Sequence, residues 1–196
     1  MKRALLAFCL LVLLSHAARA DGKREPINVD VCFNYGCVTQ WQVQFEAARF
    51  AEVLKTLHEA QNAEEERARL AIVIGQLYRL AAEQTPIGND RGGNYEDAGV
   101  WGRMDCIDHS TTTSRFLRLI EAQGGLRWHR VLEPVRRMRF FVLQHYSAAI
   151  ETIENAPKEE SAAAQKYVVD SWFRDNGEPA VILPLEEWMK GNEPDV

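Results

Sequence analysis

The stretch GRMDCIDHSTTTSRF, residues 102–116, decides how the rest of this chain is read. It closes a glycine-rich segment, 86–103, and sets Cys106 at the expected first turn of a helix. Asp105 stands where an N-cap aspartate accepts the free N–H groups of that turn, and Asp108 where the helix dipole favours an acid. Gly124-Gly125 stops the pattern, so the spacing predicts a helix over about 105–123. Cys106, Ser110, Thr113, Leu117 and Ile120 share one stripe of it. The thiol therefore points toward whatever packs on this helix, with small residues near its start that permit close approach.

Downstream, the periodicity changes from helical to alternating. Residues 126–133, 140–153, 166–173 and 180–183 read as strands, 155–164 with Pro157 as a loop, and Asp175-Asn176-Gly177 as a hairpin turn. Residues 185–189 read as a short closing helix or coil. The second of these strands carries His145 and the third carries Asp170. In an antiparallel ladder, opposed residue numbers keep a constant sum. Pairing His145 with Asp170 centres the turn between Pro157 and Lys158, inside the segment already read as a loop, and puts both side chains on one face. A slip of two preserves that face. Trp172 and Trp188 read as core. His109 and His129 read as solvent-facing, and Arg136-Arg137-Met138-Arg139 reads as a solvated turn.

Upstream, 39–60 and 62–84 read as an antiparallel helical hairpin. Thr39-x-x-Gln42 has the form of a capping box, and Phe50, Val53, Leu54 and Leu57 follow helical spacing. Asn62 caps the second helix, Glu64, Glu65 and Glu66 fill its first turn, and Leu70, Val73, Ile74, Leu77 and Leu80 form its stripe. The pattern is that of an α+β domain: a helical hairpin, a central helix with the cysteine at its N-terminus, and an antiparallel sheet of about four strands. Segment 86–103 is long for a loop inside a domain and reads as a lid over Cys106. Its Asn89, Asp90, Asn94, Glu96 and Asp97 match no calcium-loop spacing.

Residues 1–20 read as a secretory signal peptide: Lys2 and Arg3, an apolar run over 4–14, and Ala18-Arg19-Ala20 as the cleavage site. The expectation is one domain, 21–196, with a helical part at 39–84 and a Cys-His-Asp core at 100–188, exported to a periplasm or the exterior without a membrane span. Cleavage leaves 20 bases against 28 acids, a net charge of −8. That balance excludes a nucleic-acid binder relying on a basic face. Of the four cysteines, Cys9 leaves with the signal segment. Cys32 and Cys37 flank Asn34-Tyr35-Gly36 and are expected to pair in an oxidising compartment, which leaves Cys106 as the free thiol.

Cysteine at a helix start, histidine in a strand and aspartate in the next strand are the parts of a thiol nucleophile, its base, and the carboxylate that orients the base. MDCID around Cys106, LQHYSAA around His145 and YVVDSWF around Asp170 resemble the transglutaminase-like cysteine peptidase superfamily, whose topology is papain-like. The resemblance covers roughly 100–188. It implies amide chemistry through a thioester; export points to a peptide or protein substrate of the cell envelope, and no cofactor or metal is expected. It does not choose between proteolysis, deamidation and amine transfer. Trp101 and Gln144 are candidates to complete an oxyanion hole or cover the thiol. Two other readings stand beside it: a zinc site from Cys106-x-x-His109 with His145 and an aspartate, and a non-catalytic domain that recognises an envelope protein. Oligomeric state is not legible.

Overall fold

The described residues are 25–93, 99–139, 143–153 and 164–193, in a computed structural model. The signal segment 1–20, the expected turn at Pro157 and Lys158, and Asn94, Glu96 and Asp97 lie outside them. In chain order the elements are β1 (Ile27–Phe33), β2 (Thr39–Phe45), α1 (Ala47–His58), α2 (Ala63–Ala82), a 3-10 turn (Pro86–Asn89), α3 (Cys106–Ala122), β3 (His129–Val131), β4 (Val135–Arg139), β5 (Leu143–Thr152), β6 (Lys166–Asp170), β7 (Val181–Pro184) and α4 (Leu185–Met189). Four α-helices and antiparallel sheets make this a mixed α+β fold. No helix among the described residues is long and apolar enough to cross a membrane.

β1 and β2 form a two-stranded ribbon; β3-β5-β6-β7, with β4 also on β5, form a five-stranded sheet rather than one of about four. Helix α3 packs against β5 of the large sheet and β1 of the ribbon. Between these elements lies a core that includes Phe33, Phe45, Phe50, Leu70, Ile74, Phe116, Leu117, Ile150 and Val169. Each such side chain removed from water contributes about 1.5–3 kcal/mol.

Helix α3 begins and ends as its sequence indicates, with Asp105 as N-cap and Gln123 as C-cap. The helical hairpin also forms, and Asn62 caps α2 by accepting from Glu65 N at 2.8 Å. Residues 39–45 correct the expectation of a helix from Thr39. They are a strand, because Gln40, Gln42 and Gln44 alternate with Trp41, Val43 and Phe45, and the turn at 34–37 folds them back onto β1. Val43 and Phe45 are buried while the glutamines are exposed, so period two wins over the capping-box lookalike. The basic run 136–139 is likewise strand β4 rather than a solvated turn, and Arg137 within it is buried. β5 and β6 pair as expected, but two residues off: Ala148 faces Val169 and Ile150 faces Tyr167. Continuing that register sets Asp170 opposite Ser147. A shift of two keeps every side chain on its face.

Candidate active site

Three pieces of chain converge at the start of α3. The first is the loop 34–37, closed by the Cys32–Cys37 disulfide expected from the sequence. Asn34, Tyr35, Gly36 and Cys37 all have φ between 58° and 68°, one left-handed turn with its N–H groups on a concave side. That concavity holds the two acids of α3. Tyr35 N and Cys37 N each donate to Asp108 at 2.7 Å, and Gly36 N donates to Asp105 at 2.9 Å. Asp105 Oδ1 also accepts from Ile107 N and Asp108 N, and Asp105 N donates to Asp108, which completes a reciprocal capping box. Asn34 ties the loop to the preceding segment, donating from its backbone to Arg103 O and accepting from Gly102 N. The carboxylates beside Cys106 thus clamp the turn that carries it. Burial, with Asp105 alongside, pushes the Asp108 carboxyl up to about 6.

The clamp predicts the value of the disulfide. Replacing Cys32 and Cys37 together by serine removes a closed loop of about six residues and costs about 2 kcal/mol on the loop-entropy scale. Urea unfolding checks this, and dithiothreitol reproduces the loss in the unmutated chain.

The second piece is β5 and the third the end of β6. His145 Nε2 lies 2.7 Å from Asp170 Oδ2. Trp188 Nε1–H donates to the same oxygen at 3.0 Å, and Trp172 N donates to Asp170 Oδ1 at 3.2 Å. A carboxylate can only accept, so His145 carries its proton on Nε2. His145 Nδ1 is buried and has no hydrogen-bond partner among the described residues. The imidazole is walled by the rings of Trp172, Phe173 and Trp188, at 5.0, 5.3 and 5.6 Å between centroids. Arg137 braces this wall, donating to Trp188 O at 2.6 Å and lying over its ring. It also pairs with Glu193.

Cys106 is a free, half-buried thiol. β6 pairs with β5 only as far as Ala148, so the β5 main chain at 144–146 is not covered by β6. The sulfur lies there, 4.0 Å from Gln144 O, with the backbone N–H of Tyr146 also reaching it. It therefore touches the strand on both sides of His145. Cys106 and His145 make no hydrogen bond to each other: the thiol is aimed at the Gln144 carbonyl. Burial pushes the thiol up, and the Asp105 and Asp170 carboxylates push it the same way. The N–H groups of Tyr146 and of Cys106 itself oppose this without cancelling it. The surroundings of Cys106 thus favour its thiol form.

Gln144 is exposed, and its main-chain carbonyl rather than its side chain meets the sulfur. Trp101 is also exposed and packs edge-on against Phe33 beside the disulfide loop. Trp172 and Trp188 are buried, as read from the sequence. His109 and His129 are not solvent-facing; both are buried against acids that are remote in sequence. His109 Nε2 meets Asp90 at 2.9 Å and Nδ1 meets Ser171 Oγ at 2.8 Å. His129 Nδ1 meets Glu66 at 2.8 Å. The zinc reading loses its second ligand, because both ring nitrogens of His109 are engaged away from Cys106. Among the described residues, the cluster with metal-ligand spacing is Cys32, Cys37 and Asp108, and its two sulfurs are bonded to each other. The buried histidines had one sequence signal, an acid within the same domain to neutralise each, but nothing said which acid. Compared with models of known protein families, with curated proteins and with solved structures, the chain matches none of them.

Proposed function

We propose that this chain is a cysteine hydrolase or acyltransferase that acts on amide bonds of a peptide or protein through Cys106, His145 and Asp170. The observation that carries the reading is the state of His145. Its Nε2–H is committed to Asp170, its Nδ1 is buried without a partner among the described residues, and the free thiol lies against the main chain on either side of it. An unpaired buried acceptor costs about 1–3 kcal/mol, so it needs a purpose, and receiving the thiol proton is one.

In the first step Cys106 Sγ attacks the carbonyl carbon as its proton passes to His145 Nδ1. Asp170 stabilises the imidazolium, and the negative oxygen faces the backbone N–H of Cys106, the first-turn amide of α3 that the Asp105 cap leaves unused. Collapse expels the amine, which takes the proton from His145, and leaves a thioester on Cys106. Water or a second amine then adds, His145 accepts its proton, and the thiolate leaves and is reprotonated. A half-buried thiol with a raised pKa suits this general-base route better than a preformed thiolate. The resemblance of MDCID, LQHYSAA and YVVDSWF to transglutaminase-like cysteine peptidases points the same way, and helix α3 packs against the strand bearing the histidine. The Cys32–Cys37 disulfide is what an oxidising envelope or exterior compartment sustains.

Iodoacetamide alkylation of Cys106, followed by intact mass at pH 7, tests the pairing. The His145→Ala protein is expected to react about 10²-fold more slowly than the unmutated protein. Equal rates would mean that the imidazole does not serve the thiol, and the proposal would fall.

A further inference from the structure

Beneath the site lies a second buried polar network that the three-residue mechanism does not use. His109 sits on α3 one turn beyond Cys106, and Ser171 immediately follows Asp170. They meet at 2.8 Å, so the helix bearing the nucleophile and the strand end bearing the carboxylate are joined by this contact. On its other side His109 meets Asp90 at 2.9 Å, and Asp90 in turn accepts from Met104 N at 2.9 Å, two residues before Cys106. Ser171 Oγ is within 2.9 Å of Thr113 Oγ1 and 3.2 Å of Tyr78 OH. Tyr78 OH is also bonded to the His109 carbonyl. Asp90, His109 and Thr113 are at most 2 % exposed.

The geometry points to His109 as a positioning residue, a buried cation held by Asp90 whose charge offsets the carboxylates around Cys106 and whose ring sets α3 against the end of β6. This inference rests on the Cys106–His145–Asp170 reading. The groups facing His109 are Asp90 after the 3-10 turn, Tyr78 on α2, Asp108 on its own helix, and Asp170 at the end of β6. Three of these four are carboxyl groups, and Tyr78 is held neutral by burial. Burial disfavours the imidazolium, but contact with Asp90, helped by Asp170 and Asp108, outweighs it and raises the His109 pKa. A raised histidine contributes stability that is complete below its unfolded value, about 6.5, and is lost as pH rises through the folded value. A positive charge on His109 lies on α3 one turn from a thiol that Asp105 and Asp170 push toward protonation. Asp90 accepts from Nε2–H and Ser171 from Nδ1–H, so the imidazolium is fully bonded with no water needed.

The test is the pH profile of Cys106 alkylation by iodoacetamide in the full chain. His109→Gln keeps polar groups but no charge, and its profile is expected to move to higher pH by about 0.5–1 unit, a loss of about 3–10-fold in rate at pH 7. Asp90→Asn, on a different element, releases the proton from His109 and is expected to shift the profile the same way. Tyr78→Phe removes a hydroxyl from the same network without touching the charge, and its midpoint stays in place. A role confined to packing would lower stability in all three and move none of the midpoints. An NMR titration of the His109 ring in the unmutated protein gives a second readout: it is expected charged at pH 7, and a neutral ring overturns the proposal. If the unmutated thiol proves indifferent to His145→Ala, the enzyme reading has failed. If it depends on His145 but not on the charge of His109, only the present inference has.

Discussion

Asp170→Asn is expected to slow acylation of Cys106 by at least about 10³-fold while leaving a folded protein. The reason is the count of donors around this carboxylate. Asp170 accepts from His145 Nε2, Trp188 Nε1 and Trp172 N. An asparagine amide has one oxygen, so its NH₂ must face some of these donors. Facing His145, it forces the imidazole to accept at Nε2 and to carry its proton on Nδ1. That tautomer presents a proton where the proposed mechanism needs a lone pair. Whether it faces Trp188 Nε1 alongside His145 or Trp172 N on the other side, it sets two donors against each other and lowers stability by about 1–3 kcal/mol. Release of nitrophenolate from a p-nitrophenyl ester measures acylation, and a thermal melt in parallel separates the two effects. A variant with unimpaired acylation would show that His145 is not oriented through this contact.

Glu66→Ala is expected to be the most damaging single change to stability, at about 3–5 kcal/mol. Glu66 is wholly buried on α2, and its carboxylate accepts from Arg127 N at 2.7 Å, Trp128 N at 3.1 Å and His129 Nδ1 at 2.8 Å. Arg67 approaches His129 Nε2 at 3.3 Å, so Nε2 accepts there and Nδ1–H faces Glu66. Alanine leaves all three donors to Glu66 unpaired at the point where the chain turns from α3 into β3. For a chain of this size the loss is a fall of about 10 °C in Tm. Its neighbour Glu65 is only partly buried and serves the α2 cap through Asn62 and Gln61. Glu65→Ala is therefore expected to cost about 1 kcal/mol or less. Similar melts for the two variants would mean that the buried carboxylate contributes nothing beyond its place in the first turn.

These two acids show where reading from sequence runs out. In the run Glu64-Glu65-Glu66, local rules treat all three alike, as complements to a helix dipole. Only the path of residues 127–129 singles out the third. The same holds for Asp105 and Asp108. As a capping pair they are legible from four residues, and the structure forms that cap. Their second task, gathering the N–H groups of Tyr35, Gly36 and Cys37, depends on a loop about 70 positions away. That task accounts for acids beside a thiol they do not favour.

Strand β2 failed for a different reason. Thr39-x-x-Gln42 satisfies a helix-start rule and TQWQVQF satisfies alternation, and both signals are local. Pairing with β1, closed by the disulfide, decided between them.

What the sequence by itself determined about this protein is whatever depends on near neighbours or on parity. The capped start of α3 at Cys106 follows from Asp105 and the helical stripe. The Cys32–Cys37 bridge follows from a short separation across turn-forming residues. The common face of His145 and Asp170 follows from the pleat, whose period of two survives the two-residue error in register. Tertiary structure decided the rest: which acid each buried histidine meets, where the thiol rests along β5, and that His145 Nδ1 has no partner among the described residues. These depend on distances between elements remote in the chain. Such distances are set by how the core packs, and no local pattern of residues encodes them.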